Sequence, residues 1–331
     1  MTEQTIRYLT DLFALPRGEF DGVLVSGTST ANLIALTTAR EWCAENMGVD
    51  VTEDGVGGLA GIGVYAAHPH VSVLKALGII GLGRKAWRPV ANLPGREAID
   101  PDALNRALAA AGAGCSIVVV SAGTVTTGDF DDIAALVELC RRHGAWLHVD
   151  GAFGLFARCH RAKTSLLDGL EQADSIAVDM HKWLNVPYDC GLLLCRHGRL
   201  LERAHGTDAS YFFDPEPGWP DYSKRGIELS TRCRALPVWM TLVAYGRAGV
   251  SAMIEKNSAF AERLGEWISR SGLYELLAPV RLNIVLFRGI FAAGPEDEAF
   301  VPGLLLAALA VDGGVVPEDV GVFAHGFAFK K

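Results

Sequence analysis

The chain has 331 residues, half of them hydrophobic and 21% charged, enough for one large domain and a smaller one. Its net charge of −8 argues against a nucleic-acid backbone or an anionic membrane as principal partner. Seven cysteines without a CxxC pair fit a reduced, intracellular chain better than a disulfide framework. The opening MTEQTIRYLTDLFALP is acidic and lacks the continuous apolar stretch of a signal peptide. The longest apolar run, GLLLAALAV at 303–311, is too short to span a bilayer, so a soluble, cytoplasmic protein is expected. His143, His148, Cys159 and His160 are too irregularly spaced to predict a metal site.

In chain order, residues 5–13 predict a short amphipathic helix with Ile6, Leu9 and Phe13 on one side. GVLVSG (22–27) reads as a strand ending in glycine. The long helix over 29–48 follows, with Ser29 or Thr30 as cap and Gly48 as stop. A strand over 61–66, a helix over 70–79 and a strand over 85–90 come next. DPDALNRALAAAG (100–112) opens with an Asp cap and Pro101 in the first turn. SIVVVSAG is a fully apolar strand, DDIAALVELCRRHG a helix closed by Gly144, and AWLHVDG, SIAVD and CGLLLCR are further strands. EPGWPDYSKRG (216–226) reads as a mobile surface loop. Long helices and one clear strand, RLNIVLFR (281–288), then predict a smaller domain over 236–331, after a large one over 1–235.

Strands alternating with helices, the central strands apolar on both faces, predict a mainly parallel sheet covered on both sides. In such a sheet ligands bind beyond the carboxyl ends of the strands. The polar residues there are Ser26 to Ser29, His68 and His70, Gly123 and Thr124, Asp150, and Asp179, His181 and Lys182. VSGTSTANL puts a glycine and four hydroxyl residues at a strand-to-helix turn, which suits a phosphate or serves as a plain helix cap. No Gly-Lys-Ser/Thr follows, so it is not a Walker loop. GVGGLAGIG (55–63) precedes a strand, so it is not a dinucleotide fingerprint. Asp150 at the end of AWLHVD calls for a cationic partner, such as a protonated pyridine nitrogen, or caps the next segment. Lys182 between His181 and Trp183 is either a surface lysine or an imine-forming one. Phosphate turn, buried aspartate and lysine together are the parts of a pyridoxal phosphate site.

The same residues resemble the group II pyridoxal-phosphate-dependent amino-acid decarboxylases. DSIAVDMHKWLNVPYDCGLLLCR resembles that family's lysine segment, HVDGAFG its aspartate strand, SGTSTANLIAL its phosphate turn, and ELSTRCRALPVW (228–239) a further block. The resemblance covers about residues 5 to 288. It implies fold type I of the pyridoxal phosphate enzymes, with a seven-stranded sheet and a smaller C-terminal α+β domain. Lys182 would form the Schiff base, and Asp150 would hold the pyridinium. Ala152 would pack on one ring face and His70 on the other, although His70 is also an ordinary helix-start residue. Thr28, Ser29 and His181 would bind phosphate, with Asp179 in the same cofactor set. Tyr211, in DASYF, would protonate the carbanion from a mobile loop; the other reading makes it a core aromatic beside Phe212 and Phe213.

Two departures stand out. Family members carry about a hundred residues ahead of the phosphate turn, so part of the substrate pocket is expected to be absent or to come from another polypeptide. The segment VDGGVVPEDVGVFAHGFAFKK (311–331) does not match the family's closing strand. A smaller one is Val125, apolar where the family often has a hydroxyl. The expected function is decarboxylation of an L-amino acid by a homodimer, with a small-molecule substrate and no nucleic-acid or membrane partner. The alternatives are an aldehyde-forming or lyase reaction on the same platform, or a truncated paralogue that binds pyridoxal phosphate or a partner without turnover.

Overall fold

The computed structural model describes residues 1–112, 114–207 and 220–290. They fall into two compact units, Met1–Thr124 with Asp129–Glu255, and Val125–Gly128 with the described residues from Lys256 onward. The first unit is built on a seven-stranded sheet. Its strands are β1 (Asp21–Val25), β2 (Gly63–Ala66), β3 (Trp87–Pro89), β4 (Ser116–Ser121), β5 (Trp146–Asp150), β6 (Ser175–Asp179) and β7 (Gly191–Cys195). The order across the sheet is β1-β7-β6-β5-β4-β2-β3. Strands β2 to β6 pair in parallel, while β7 runs antiparallel to both neighbours. Strands β2, β5, β6 and β7 are buried at every residue, as strands are when both faces are covered.

Helices α1 (Thr2–Leu12), α2 (Thr28–Met47), α3 (Val51–Asp54), α4 (Val71–Ile79), α5 (Pro101–Ala109), α6 (Ile133–His143), α7 (Met180–Trp183) and α8 (Gly198–His205) belong to this unit. The last helix, α9 (Ala235–Ser271), is kinked at Gly246 and continues into the second unit. Helix α2 is the central one: Ala31, Ile34, Ala35, Leu36, Ala39 and Cys43 are fully buried in one apolar cluster with the sheet. Burying a side chain the size of Ile or Leu contributes about 1.5–3 kcal/mol, so this helix is held by its packing. In the second unit β8 (Tyr274–Leu276) pairs antiparallel with β9 (Phe287–Gly289), over a small core of Ala261, Leu264, Ile268, Tyr274 and Val285.

Several local expectations are corrected. Helix α2 begins at Thr28, with Gly27 as N-cap and no capping side chain of its own. Its first free N–H is taken from across the sheet, because Thr28 N donates to Asp179 Oδ1 at 2.6 Å. The strand expected over 281–288 is confined to Phe287–Gly289, where Tyr274–Leu276 supplies a ladder partner; Leu282, Ile284, Val285 and Leu286 are buried by packing instead. Within the expected loop 216–226, Arg225 is buried and paired with Asp21 at 2.9 Å and Glu202 at 3.0 Å, so the end of that segment is anchored. Cys43 and Cys115, expected as thiols, form a disulfide. Their Cα atoms lie 5.6 Å apart across the α2 side of the core, inside the bridging range that scattered sequence positions do not reveal. Cys140, Cys159, Cys190, Cys195 and Cys233 are free.

Candidate active site

The register places one set of strand ends together. Ser121 of β4 lies beside Asp150 of β5, Asp150 beside Ala177 of β6, and Asp179 beside Gly191 at the start of β7. Val25 of β1 also lies beside Gly191. Antiparallel β7 therefore begins at the edge where the parallel strands finish. The turn after β1 comes very close to it. A Cβ on Gly191 would sit 2.6 Å from Gly27 Cα, so only glycine allows the approach.

At this turn Asp179, almost fully buried, accepts the Thr28 N–H on one oxygen and pairs with Lys182 Nζ at 2.9 Å on the other. A carboxylate at the first turn of α2 is favoured by the helix dipole. His181 lies alongside, its ring stacked on Tyr188 with centroids 4.1 Å apart. Its Nδ1 accepts the Cys190 N–H at 3.1 Å, which leaves the proton of the neutral ring on Nε2, 3.7 Å from Asp179 Oδ1. Burial pushes the His181 ring below the usual histidine range, favouring that neutral form. Thr28 Oγ1 is buried and has no hydrogen-bond partner among the described residues. Ser29 is exposed in the same turn.

Asp150 is buried at the end of β5 and forms no ion pair among the described residues. Its Oδ2 accepts from Asn32 Nδ2 at 2.8 Å and its Oδ1 from the Ala152 N–H at 3.2 Å. Burial pushes this carboxyl above the ordinary range, while the Asn32 hydrogen bond and the charges of His70 and Lys182 pull it down. Ala152 also ties two strand ends together, its carbonyl accepting the Asp179 N–H at 2.9 Å. His70 is the N-cap of α4: its Nδ1 accepts the Ser72 N–H at 3.3 Å and lies 2.7 Å from Ser72 Oγ. It thus performs the ordinary helix-start role and still belongs to this edge.

The structure so brings Thr28, Asp179, His181 and Lys182 together around one turn, and Asp150, Ala152 and His70 beside it. Tyr211 lies outside the described residues. Sequence reasoning missed Asn32, Ser72 and His148, which join the second group internally. One sign was available. Asn32 falls on the stripe Asn32, Ala35, Leu36, Ala39, Cys43 that α2 buries, a polar residue at the head of an apolar row.

A mainly parallel seven-stranded sheet with a lysine and a buried carboxylate past neighbouring strand ends places the chain in fold type I of the pyridoxal phosphate enzymes, the fold of the structures it superposes on. The chain belongs to the pyridoxal-dependent decarboxylase family, whose conserved domain matches residues 1–290. The aromatic-L-amino-acid decarboxylase of Bacillus atrophaeus is 31% identical over 294 residues, covering 86% of this chain and 58% of that protein. The cysteine sulfinic acid decarboxylase of Rattus norvegicus is 32% identical over 296 residues, with the same shares. The crystal structure of Oryza sativa TDC with PLP and tryptamine superposes with a TM-score of 0.81 at 28% identity, covering 89% of this chain and 64% of that one. Mouse CSAD in apo form gives 0.78 at 29%, covering 87% and 60%. The chain spans 58% of the length of these curated relatives.

Proposed function

We propose that this protein decarboxylates an L-amino acid to its amine and CO2, with pyridoxal 5'-phosphate bound as a Schiff base on Lys182. The observation that carries the reading is Asp150, a buried carboxylate held by an amide and a backbone N–H instead of a cation. An ionised carboxylate in that setting is costly until a cation meets it, and a pyridinium N–H is such a cation. The phosphate end fits as well. The orphaned Thr28 hydroxyl, the Nε2–H of His181 and the first turn of α2 form an anion cradle kept open by Gly27, whose Cβ would meet His181 Cε1 at 3.1 Å.

When bound, the cofactor supplies an electron sink for the pair that remains on the substrate's Cα as CO2 departs. The protein's own residues supply the rest. Asp150 would keep the ring nitrogen protonated. Thr28, Ser29 and His181 would hold the phosphate, His70 and Ala152 would cover the ring faces, and Asp179 would hold the turn through the Thr28 N–H and Lys182. The role of Tyr211 as proton donor rests on the motif DASYF alone.

The working unit we propose is a homodimer. Supporting it, Ile227 and Leu229 are more than half exposed, as are Met240, Val243 and Tyr245 on the first half of α9. The compartment we propose is the cytoplasm, supported by five free cysteines against one bridge. Among the described residues no helix is long and apolar enough to cross a membrane.

The test is the visible spectrum of the purified protein with added pyridoxal phosphate, before and after borohydride. CO2 and amine are then measured from aromatic amino acids, cysteine sulfinate and 2,4-diaminobutyrate, the substrates in its relatives' names. A band that bleaches on reduction, a label mapping to Lys182 and release of CO2 are expected. A wild-type protein that takes up no cofactor, or a Lys182→Ala variant with wild-type turnover, overturns the reading.

A further inference from the structure

Asn32 is fully buried, and its amide uses both N–H groups and its oxygen. Nδ2 donates to Asp150 Oδ2 at 2.8 Å and to Ser72 Oγ at 3.0 Å, while Oδ1 lies 3.0 Å from His148 Nε2. His148 Nδ1 in turn lies 2.8 Å from Ser175 Oγ, which takes the Trp146 Nε1–H at 3.1 Å. With Asp150 ionised, these contacts leave one consistent proton arrangement. A carboxylate only accepts, so the NH2 of Asn32 faces Asp150 and its oxygen faces His148. His148 must then carry its proton on Nε2, and Ser175, already accepting from Trp146, gives its hydroxyl proton to His148 Nδ1. On the other arm Ser72 accepts from Asn32 and donates to His70 Nδ1, which also takes the Ser72 N–H. His70 in its neutral form therefore carries its proton on Nε2.

We infer that Asn32 is the positioning residue of this site: one amide holds Asp150 and, through Ser72, His70 in a single hydrogen-bonded unit braced from behind by His148. This rests on the proposed cofactor reading, in which Asp150 and His70 meet the same ring. Asn32 touches neither substrate nor cofactor and acts through those two side chains. The deep location of His148 agrees, since burial pushes its ring down to about 4 and keeps it neutral. A charged ring would carry its second proton on Nδ1, and Ser175 Oγ, already accepting from Trp146, would have to accept that proton as well instead of donating its own. Asp150 would otherwise be free to rotate, because its remaining bond is the longer one to Ala152 N–H at 3.2 Å.

The full chain, labelled with 15N at its histidine rings, is compared by NMR with Asn32→Leu and Ser72→Ala, and each is then titrated with pyridoxal phosphate. In the wild type His148 shows a bare Nδ1 and a protonated Nε2, and the neutral form of His70 shows the same pattern. Asn32→Leu removes the acceptor of the His148 Nε2–H, so that pattern is lost at His148, and cofactor affinity falls about 10- to 100-fold, the effect of losing a hydrogen bond to a charged group. The visible band of Asn32→Leu also titrates at a pH different from that of the wild type. Ser72→Ala changes the His70 pattern and leaves His148 as it was. Where Asn32→Leu does not fold, Asn32→Ser is read in the same way, its short single hydroxyl serving at most one of the three partners. A wild-type His148 protonated on Nδ1, or an Asn32 variant with wild-type affinity and band, overturns the inference. A wild type that takes up no cofactor overturns the functional reading instead, and the tautomer comparison still decides the arrangement around Asn32.

Discussion

Replacing His148 with leucine removes a titrating ring from the centre of the sheet at nearly constant volume. At pH 8 the variant leaves Asn32 Oδ1 and the Ser175 hydroxyl without their partner, two buried polar groups at about 1–3 kcal/mol each. A loss of roughly 2–5 kcal/mol is expected there, part of the penalty being offset by the apolar side chain. The gap narrows on acidification. Native His148 takes a proton only near pH 4, while the unfolded ring does so at 6.5. The stabilisation from the neutral ring is therefore complete above pH 6.5 and drains away as pH falls from 6.5 towards 4. The linkage relation gives about 2 kcal/mol lost by pH 5. Asp131, pushed up by burial to about 6, acts in the opposite direction over an overlapping range, but both proteins carry it and it cancels in the difference. The assay is urea unfolding followed by circular dichroism at pH 8 and pH 5. A wild-type-to-variant gap that stays constant within about 0.5 kcal/mol would refute the buried neutral ring, because the native state would then accept the proton as readily as the unfolded one.

Gly191→Ala places a methyl 2.6 Å from Gly27 Cα and should cost about 1–3 kcal/mol as well as weakening cofactor uptake; an unchanged melting temperature would contradict the close approach. Asp131 accepts the Ile99 and Ser121 N–H groups at 2.6 Å each, so Asp131→Asn turns an NH2 towards one of them and costs about 1–3 kcal/mol. Burial lifts the native Asp131 carboxyl from 3.8 to about 6. The wild type is therefore favoured most below 3.8 and loses that advantage as pH rises through 6, so its lead over Asp131→Asn is about 2 kcal/mol greater at pH 4 than at pH 7. Asp150→Asn keeps the shape and removes the charge: borohydride trapping at Lys182 should persist while turnover drops about 100-fold or more, and equal turnover would remove Asp150 from the chemistry.

Much of this was legible in the chain itself. Apolar strands alternating with amphipathic helices identify a parallel sheet, because only a sheet covered on both faces needs side chains apolar in both directions. Asp100 with Pro101, and Gly144, mark helix ends by local backbone chemistry and were placed as read. The ends of strands are where ligand-binding polar residues gather in such a sheet, which led to Asp150, Asp179 and Lys182. Local rules failed where a partner distant in sequence decided the outcome. The cap of α2 came from Asp179, 151 residues away, instead of from Ser29 or Thr30. The strand in 281–288 formed only where another strand was available to pair with it.

The sequence by itself determined the class of fold and singled out candidate residues at the strand ends, since periodicity and strand-end chemistry are local properties of the chain. Tertiary structure alone decided how those parts connect: that Asn32 joins Asp150 to His148 and His70, that Asp179 holds Lys182 and the first turn of α2, and that Cys43 meets Cys115. Each of these contacts bridges residues far apart in the chain. Hydrogen bonds, ion pairs and disulfides need atoms within a few ångströms, a proximity that only packing supplies.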